Sequence, residues 1–232
     1  MDRQEKDARL DALRAGAKPG SELDAGDVKA AWEALCQAWP HMTSRPGAGA
    51  DELLQIRQAL GYEPPAALVE LLSLSNGAEG AFGTEDLLSA AQVVSNWTVW
   101  EEIFDGFDPD DLYGAVEAAD DRTVAMYTCP YWVPFAVDGG GNHVAIDLAP
   151  GPAGRIGQII LFGPDETEIR CIGTDLADFL WQQVNDAHAR EGGYESVDED
   201  AGLSGGLPAG TATEPAPTSE PTRRSWKRRF RK

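Results

Sequence analysis

The sequence predicts an α+β domain in which flanking helices cover a twisted antiparallel sheet. Three observations support this prediction. Apolar residues recur at helical spacing over residues 27–104. Apolar runs separated by glycine- and proline-rich turns follow over residues 131–172, and a last helical pattern begins at Thr174 or Asp175. Helices, then consecutive hairpin-linked strands, then a final helix are typical of an α+β domain on an antiparallel sheet.

Four helices are predicted ahead of the main strands. They are expected to begin at Asp27, Asp51, Pro64 and Ser89. Pro40 ends the first helix, and Gly77 is expected to end the third as a left-handed cap. A short strand is expected at Leu87-Leu88, and the acidic, turn-rich residues 105–121 are expected to end in a short helix or a loop.

A β-hairpin is the clearest local prediction. Two apolar runs that alternate with period two flank Asp138–Gly141, and the glycines allow a tight chain reversal. With these four residues as the loop, Val137 faces Asn142 and Trp132 faces Asp147. Two further strands are expected, at residues 157–162 and 167–172.

The two faces of this hairpin differ in polarity, because successive side chains of a strand point to opposite sides. The face expected in the core carries Val133, Phe135, Val137, Val144, Ile146 and Leu148. The other face carries Trp132, Pro134, Ala136, His143, Ala145 and Asp147.

The second face is predicted to contact another protein. The candidate partner-binding residues are Trp132, Asp138, Asn142, His143, Asp147 and Gln158. Two alternatives stay open: a helix covers this face, or Asn142 and Asp147 act only as capping and turn residues.

The charge of the chain limits its partners. With 39 acidic and 19 basic residues, its formal net charge is −20, so the main domain is not expected to bind nucleic acid. The three cysteines lie far apart with no CxxC pair, which suits a reducing compartment. No secretory signal and no apolar run of about 20 residues is visible, so a cytoplasmic location is predicted.

Four regions are predicted along the chain: a polar N-terminal segment over 1–24, a domain over 25–190, a disordered linker over 191–221 and a basic tail over 222–232. The tail residues are Arg223, Arg224, Trp226, Lys227, Arg228, Arg229, Phe230, Arg231 and Lys232. A weak contact of this tail with an anionic membrane is one hypothesis, and nucleic acid or the acidic domain itself could compete for the tail.

No motif of a metal site, cofactor site or catalytic nucleophile is present. His41, His143 and His188 are the three histidines, with no HExxH sequence and no G-x-S-x-G elbow. The sequence therefore predicts no enzyme, no metal and no cofactor. A hydrolase is the remaining alternative, and it would require Asp138, His143 and Asp147 to converge on one pocket.

Five motifs in order resemble the SMI1/KNR4 (SUKH) superfamily over about residues 27 to 188. They are Pro64-Pro65 with Leu71-Leu72 and Asn76-Gly77; Trp132-Val-Pro-Phe135; Asp138–Asn142 with Ala145–Leu148; Gly154 with Gly157-Gln158; and Phe179-Leu180. The resemblance implies a non-enzymatic domain that binds other proteins. Bacterial members are commonly immunity proteins that neutralise polymorphic toxins, and fungal relatives regulate cell-wall synthesis. On this resemblance, we predict that the protein is an immunity protein. The alternative is a regulatory scaffold tethered by its basic tail.

Overall fold

The computed structural model describes residues 3–16 and 25–192, which form seven helices and one eight-stranded sheet. The helices are α1 Arg3–Gly16, α2 Ala25–Ala38, α3 Ala50–Leu60, α4 Ala66–Leu74, α5 Ala90–Gly106, α6 Pro109–Gly114 and α7 Leu176–Gly192. The strands are β1 Thr43–Ser44, β2 Ala78–Phe82, β3 Glu85–Leu87, β4 Glu117–Ala118, β5 Trp132–Val137, β6 His143–Asp147, β7 Gln158–Phe162 and β8 Glu168–Gly173.

The strand order across the sheet is β1-β2-β3-β5-β6-β7-β8-β4. Every neighbouring pair is antiparallel except β4 and β8, which are parallel. The predicted α+β fold on a mostly antiparallel sheet is therefore confirmed. Both edge strands are only two residues long, which leaves little free edge for pairing with another chain.

Helices cover both faces of the sheet and create two hydrophobic cores. On the first face, α2, α3, α4, α7 and the N-terminal half of α5 pack over Val133 and Ile146. On the second face, α1, α6 and the C-terminal half of α5 pack over Trp132 and Ala145. Both sides of the central hairpin are therefore interior, which decides the position of several predicted site residues.

The helix α5 serves both cores because its sequence carries two apolar stripes. Val93 and Trp97 pack in the first core, and Trp100 and Phe104 pack in the second. Ser89 caps this helix as predicted: its hydroxyl accepts from the amide of Gln92 at 3.3 Å. The Gln92 side chain accepts from the amide of Ser89 at 2.9 Å and completes a capping box.

The Asn76-Gly77 pair does not end a helix in the predicted way. α4 ends at Leu74, and its cap residue Ser75 is extended, so Gly77 at φ +97° lies beyond the helix. The Asn76 side chain instead joins two other helices. Its Oδ1 accepts from the amide of Ala90 at the start of α5 at 2.7 Å, and its Nδ2 donates to Glu52 of α3 at 2.8 Å.

The hairpin forms as predicted, with one register error. Trp132 pairs with Asp147, but Val137 pairs with His143 instead of Asn142. A bulge between Pro134 and Ala136 accounts for the difference, because it adds one residue to β5. The bulge also turns Ala136 into the first core, although strict alternation places it on the opposite face.

Several parts of the chain extend the prediction or lie outside the described residues. Strands β1, β2 and β4 were not expected, and residues 105–121 hold α6 and β4. The predicted tail over 222–232 and the predicted linker over 191–221, apart from its first two residues at the end of α7, lie outside the described residues, so the domain boundaries stay predictions. Within residues 3–16 and 25–192, no helix is long and apolar enough to cross a membrane.

Candidate partner-binding site

The loop between β5 and β6 is organised around the carboxylate of Asp138. Its Oδ1 accepts from the amides of Gly140 and Asn142, each at 2.8 Å, and its Oδ2 accepts from Nδ2 of Asn142 at 2.8 Å. Partial burial alone would raise the pKa of Asp138, but the hydrogen bonds from Asn142, Gly140 and Gly141 lower it. The side chain is therefore ionised at neutral pH and holds the loop in one conformation.

Asn142 fastens this loop to the turn between β7 and β8. Its Oδ1 accepts from the amide of Asp165 at 3.0 Å. Gly163 lies so close that a Cβ atom there would be 2.5 Å from the Cα of Asn142, which only glycine avoids. We call residues 138–142 and 163–166 together the hairpin tip. Its most exposed residues are Gly139, Gly140, Pro164 and Asp165.

His143 lies directly below the tip and is 4% exposed. Its Nε2 lies 2.8 Å from Oδ1 of Asn96, and its Nδ1 accepts from the indole N–H of Trp100 at 3.3 Å. Burial lowers the pKa of His143 to about 4, so the ring is neutral at pH 7. It joins the hairpin to α5 and supports the tip from beneath.

Trp132 is 2% exposed, which corrects the prediction of a surface indole. Its ring centroid lies 5.3 Å from that of Phe162, and Phe162 lies 5.0 Å from Trp100. The prediction failed because helices cover the second face of the sheet, as in the alternative left open by the sequence. The indole is a core element of the second face.

Asp147 and Gln158 form a buried pair at the far end of β6. Nε2 of Gln158 donates to Oδ2 of Asp147 at 2.9 Å and to the carbonyl of Arg122 at 2.8 Å. Asp147 is 1% exposed, and burial raises its pKa to about 7. Gly154 closes over the pair: a Cβ atom there would lie 2.8 Å from Oε1 of Gln158. Position 154 therefore has no room for a side chain.

The six predicted site residues thus fall into two separate groups. Asp138, Asn142 and His143 meet at the tip, whereas Trp132, Asp147 and Gln158 meet at the opposite end of β6. The prediction that they share one exposed face is wrong for Trp132, Asn142, His143, Asp147 and Gln158, all of which are buried. Asp138 is half-buried. The role of all six residues in partner binding stays a prediction. Because Asn142 and His143 are buried at the tip, that role is for them to support the tip.

The hydrolase alternative fails on the same geometry. His143 and Asp147 are the two end residues of β6, four residue steps of extended strand apart, a distance of about 13 Å. His143 is engaged by Asn96 and Trp100, and Asp147 by Gln158 and the amide of Ala149. The required groups do not converge.

Sequence reasoning missed the contribution of the β7–β8 turn. Asp165 and Gly163 of this turn complete the tip by contacting Asn142. The Gly163-Pro-Asp165 sequence predicts a turn, but it does not indicate that this turn lies against the loop between β5 and β6. The pairing register also places other acidic residues at this end of the sheet. Asp86 pairs with Val137 beside the loop, and Glu117 pairs with Glu168. The end of the sheet that carries the tip therefore holds several acidic side chains, of which Glu166 is paired with Arg170 at 2.8 Å.

The fold and the motif order define a class of α+β protein. In this class, the central hairpin has a buried cluster of Gly154, Gln158 and Asp147 at one end and the hydrogen-bonded loop of residues 138–142 at the other. Residues 47–182, more than half of the chain, match the SMI1/KNR4 family (SUKH-1). The chain belongs to this family, as the sequence motifs predicted.

Three relatives are fungal proteins. The chain is 35% identical over 123 residues to "Cell wall biosynthesis/cell cycle regulator smi1" of Schizosaccharomyces pombe, covering 49% of this chain and 24% of that protein. It is 40% identical over 74 residues to "Cell wall assembly regulator SMI1" of Saccharomyces cerevisiae, covering 32% and 14%. It is 26% identical over 216 residues to "Glucan synthesis regulatory protein" of Neurospora crassa, covering 75% and 40%. The chain therefore spans less than half the length of each of these relatives, whose names describe regulators.

Proposed function

We propose that this protein is a non-enzymatic regulator that acts by binding another protein through the hairpin tip. The observation that carries the proposal is the locked conformation of the tip, where Asp138 and Asn142 fix two adjacent turns while Gly139 and Gly140 stay exposed. A loop already held in its binding conformation loses little entropy when a partner binds.

The electrostatics of the tip indicate the kind of partner surface it fits. Asp138 is held ionised, Asp165 is exposed beside it, and Asp86 lies on the adjacent strand. An acidic surface on a chain of net charge −20 speeds encounter with a basic protein and disfavours acidic ones. The partner is therefore expected to present lysine or arginine side chains to the tip.

A regulatory role, in the manner of the fungal relatives, is the form of this function that the family names favour. In this hypothesis the protein is a scaffold for a cell-wall or membrane-associated assembly. The basic tail would tether it, since each lysine or arginine near an anionic membrane contributes about 1 kcal/mol. Removal of residues 222–232 is expected to abolish sedimentation with phosphatidylserine vesicles and leave the fold intact. Unchanged sedimentation would count against the tether.

The tip can be tested with one substitution and a matched control. Gly139→Arg introduces a long cation where a Cβ atom meets nothing within 4 Å, so the fold should tolerate it. Gln55→Arg adds the same charge on the exposed surface of α3. Each protein is used to capture partners from an extract of its own host. A specific partner is expected with the wild type and with Gln55→Arg, and it should be lost with Gly139→Arg. Equal capture by all three proteins would refute tip binding.

Neutralisation of a toxin is the second candidate, favoured by the acidity of the chain, which suits a basic nuclease. Co-expression with toxin genes found beside its own gene is expected to restore growth. The Gly139→Arg variant should fail to restore it. Lack of any neighbouring toxin gene, together with lack of rescue, would remove this candidate.

A further inference from the structure

Positively charged side chains of the helix α1 make several of its contacts with the domain. Lys6 is 3% exposed, and its ammonium donates to the carbonyls of Phe104 at 2.7 Å and Phe107 at 2.6 Å. These carbonyls lie at the C-terminal end of α5, where a helix leaves acceptors unpaired and attracts a cation. Lys6 therefore occupies a site that the end of α5 creates.

Two arginines extend the same mode of attachment. The Arg9 guanidinium lies 4.2 Å from the ring centroid of Tyr113, and that of Arg14 lies 4.1 Å from the centroid of Tyr131. Such contacts are cation–π interactions. The ring centroid of Tyr62 lies 6.0 Å from the Arg14 guanidinium and 5.4 Å from that of Tyr131, with the two rings tilted at 46° to each other. The surface below α1 thus presents aromatic faces where α1 presents cations.

One apolar side chain anchors the helix between these cations. Leu10 is fully buried in the second core, and Leu13 is partly buried against it. Lys6, Leu10 and Arg14 are spaced i, i+4 and i+8, so they form one stripe of the helix. The surface under α1 therefore contacts side chains that have the spacing Lys-x3-Leu-x3-Arg.

Two further observations concern α1 and its surroundings. A cleft of about 250 Å³ lies beside Leu10 and is also bordered by Leu60, Trp97 and Pro130, with the carboxyl groups of Asp7 and Glu101 in its lining. In addition, α1 and α2 both precede the segment 47–182 that matches the family, and of these two helices only α1 packs on the second face of the sheet.

We propose that the surface under α1 is a groove for a basic amphipathic helix of a partner protein, and that α1 is its internal occupant. We call this surface the α1 groove; it comprises the carbonyls of residues 104–107, the rings of Tyr62, Tyr113 and Tyr131, and the site of Leu10. A partner helix with the Lys-x3-Leu-x3-Arg spacing displaces α1 and takes over the same contacts. The proposal rests on the proposed protein-binding function but uses a different surface from the hairpin tip.

The exchange can be measured on the full chain. A fluorescent peptide of residues 3–16 is titrated against the wild type and against the double variant Lys6→Ala/Leu10→Ala, whose own α1 is weakened. The peptide is expected to bind the double variant at least about tenfold more tightly, because the wild-type groove is occupied. A Leu10→Ala peptide should lose about tenfold in affinity or more, and a peptide changed at exposed Gln4 should not.

Two outcomes would overturn the proposal. One is a folded double variant that shows no saturable binding, or that binds a scrambled peptide of the same composition equally well. The other comes from hydrogen exchange on the wild type, which decides the matter even where the double variant fails to fold. Amides of α1 are expected to exchange through local opening, much faster than those of α7. Equal protection of the two helices would make α1 an inseparable part of the core.

The assay also separates this proposal from binding at the tip. Gly139→Arg is expected to leave peptide binding in the α1 groove unchanged, because the substitution lies outside the groove residues. If Gly139→Arg loses partner capture and keeps peptide exchange, the partner binds at the tip and the groove proposal is unaffected. If the variant keeps partner capture, the partner does not bind at the tip, and peptide exchange alone tests the groove.

Discussion

The indole N–H of Trp100 donates to Nδ1 of His143 at 3.3 Å, and this contact fixes the tautomer of the imidazole. With Nδ1 acting as an acceptor, the proton of the neutral ring is on Nε2, which donates to Oδ1 of Asn96 at 2.8 Å. Protonation of Nδ1 would place two donors against each other in a buried site. Folding therefore favours the neutral imidazole, in agreement with a pKa lowered by burial to about 4.

Four residues along the same strand, Asp147 titrates in the opposite sense. Burial raises its pKa to about 7, so the folded protein retains a proton that the unfolded chain loses near its ordinary value of 3.8. The stabilisation by Asp147 is therefore present at low pH and lost as the pH rises to about 7. For His143, the unfolded chain gains a proton below 6.5, so stability is lost as the pH falls from 6.5 to about 4.

The first prediction is that these two pH dependences oppose each other and can be separated by mutation. Each contributes up to about 1.4 kcal/mol per pH unit to the free energy of unfolding. Relative to wild type, Asp147→Asn is expected to make stability increase with pH between about pH 4.5 and pH 6.5. His143→Gln is expected to make stability decrease over the same range. Urea unfolding followed at several pH values gives both slopes.

The sign of the change is the decisive result of this experiment. Both variants remove a buried hydrogen-bonded group, so both are expected to lower stability at every pH. A merely structural role would lower the two curves in parallel with that of the wild type. Parallel curves would therefore contradict the shifted pKa values of His143 and Asp147.

The order of the main helices and of the central strands could be predicted from the sequence, whereas the burial of the site could not. Period-two alternation fixed the hairpin, and Ser89 fixed the start of α5, because both signals are local. Exposure of Trp132 depended on whether distant helices cover the second face, and α5 covers it with Trp100 and Phe104, which lie 32 and 28 residues before Trp132 in the sequence. The bulge at Phe135 and the contact of Asn142 with the β7–β8 turn also depend on tertiary packing, for which alternation gives no signal.

The second prediction concerns Asn76, whose amide joins the starts of α3 and α5. Asn76→Ala removes its hydrogen bonds to Ala90 and Glu52 and is expected to lower the free energy of unfolding by about 1–3 kcal/mol. Ser95→Ala is the matched control, since the Ser95 hydroxyl donates to the carbonyl of Gln92 one turn earlier, at 3.1 Å on the exposed side of α5, and so joins no two helices. Equal loss in the two variants would show that Asn76 does not couple the helices.

The third prediction is that Trp132 acts through stability and does not contact a partner. Trp132→Ala is expected to lower the free energy of unfolding by about 3–5 kcal/mol, because it leaves a cavity beside Phe162. Trp132→Phe retains much of the packing and should bind any captured partner as tightly as the wild type. Calorimetric titration of the folded Trp132→Phe variant tests this expectation. Loss of affinity without loss of stability would instead mean that the indole becomes accessible on binding.

The fourth prediction compares two glycines of the hairpin tip that differ in the space around them. Gly163→Ala would bring a Cβ atom within 2.5 Å of the Asn142 backbone, so the two turns must separate. The variant is expected to lose more than about 1 kcal/mol of stability and to bind a tip partner more weakly. Gly139→Ala meets nothing within 4 Å and is expected to be neutral, or to stabilise by up to about 1 kcal/mol through the unfolded state. Thermal unfolding and partner titration of both variants measure these effects. Because the chemical change is the same at the two positions, similar behaviour of the pair would mean that the contact between Gly163 and Asn142 does not hold the tip together.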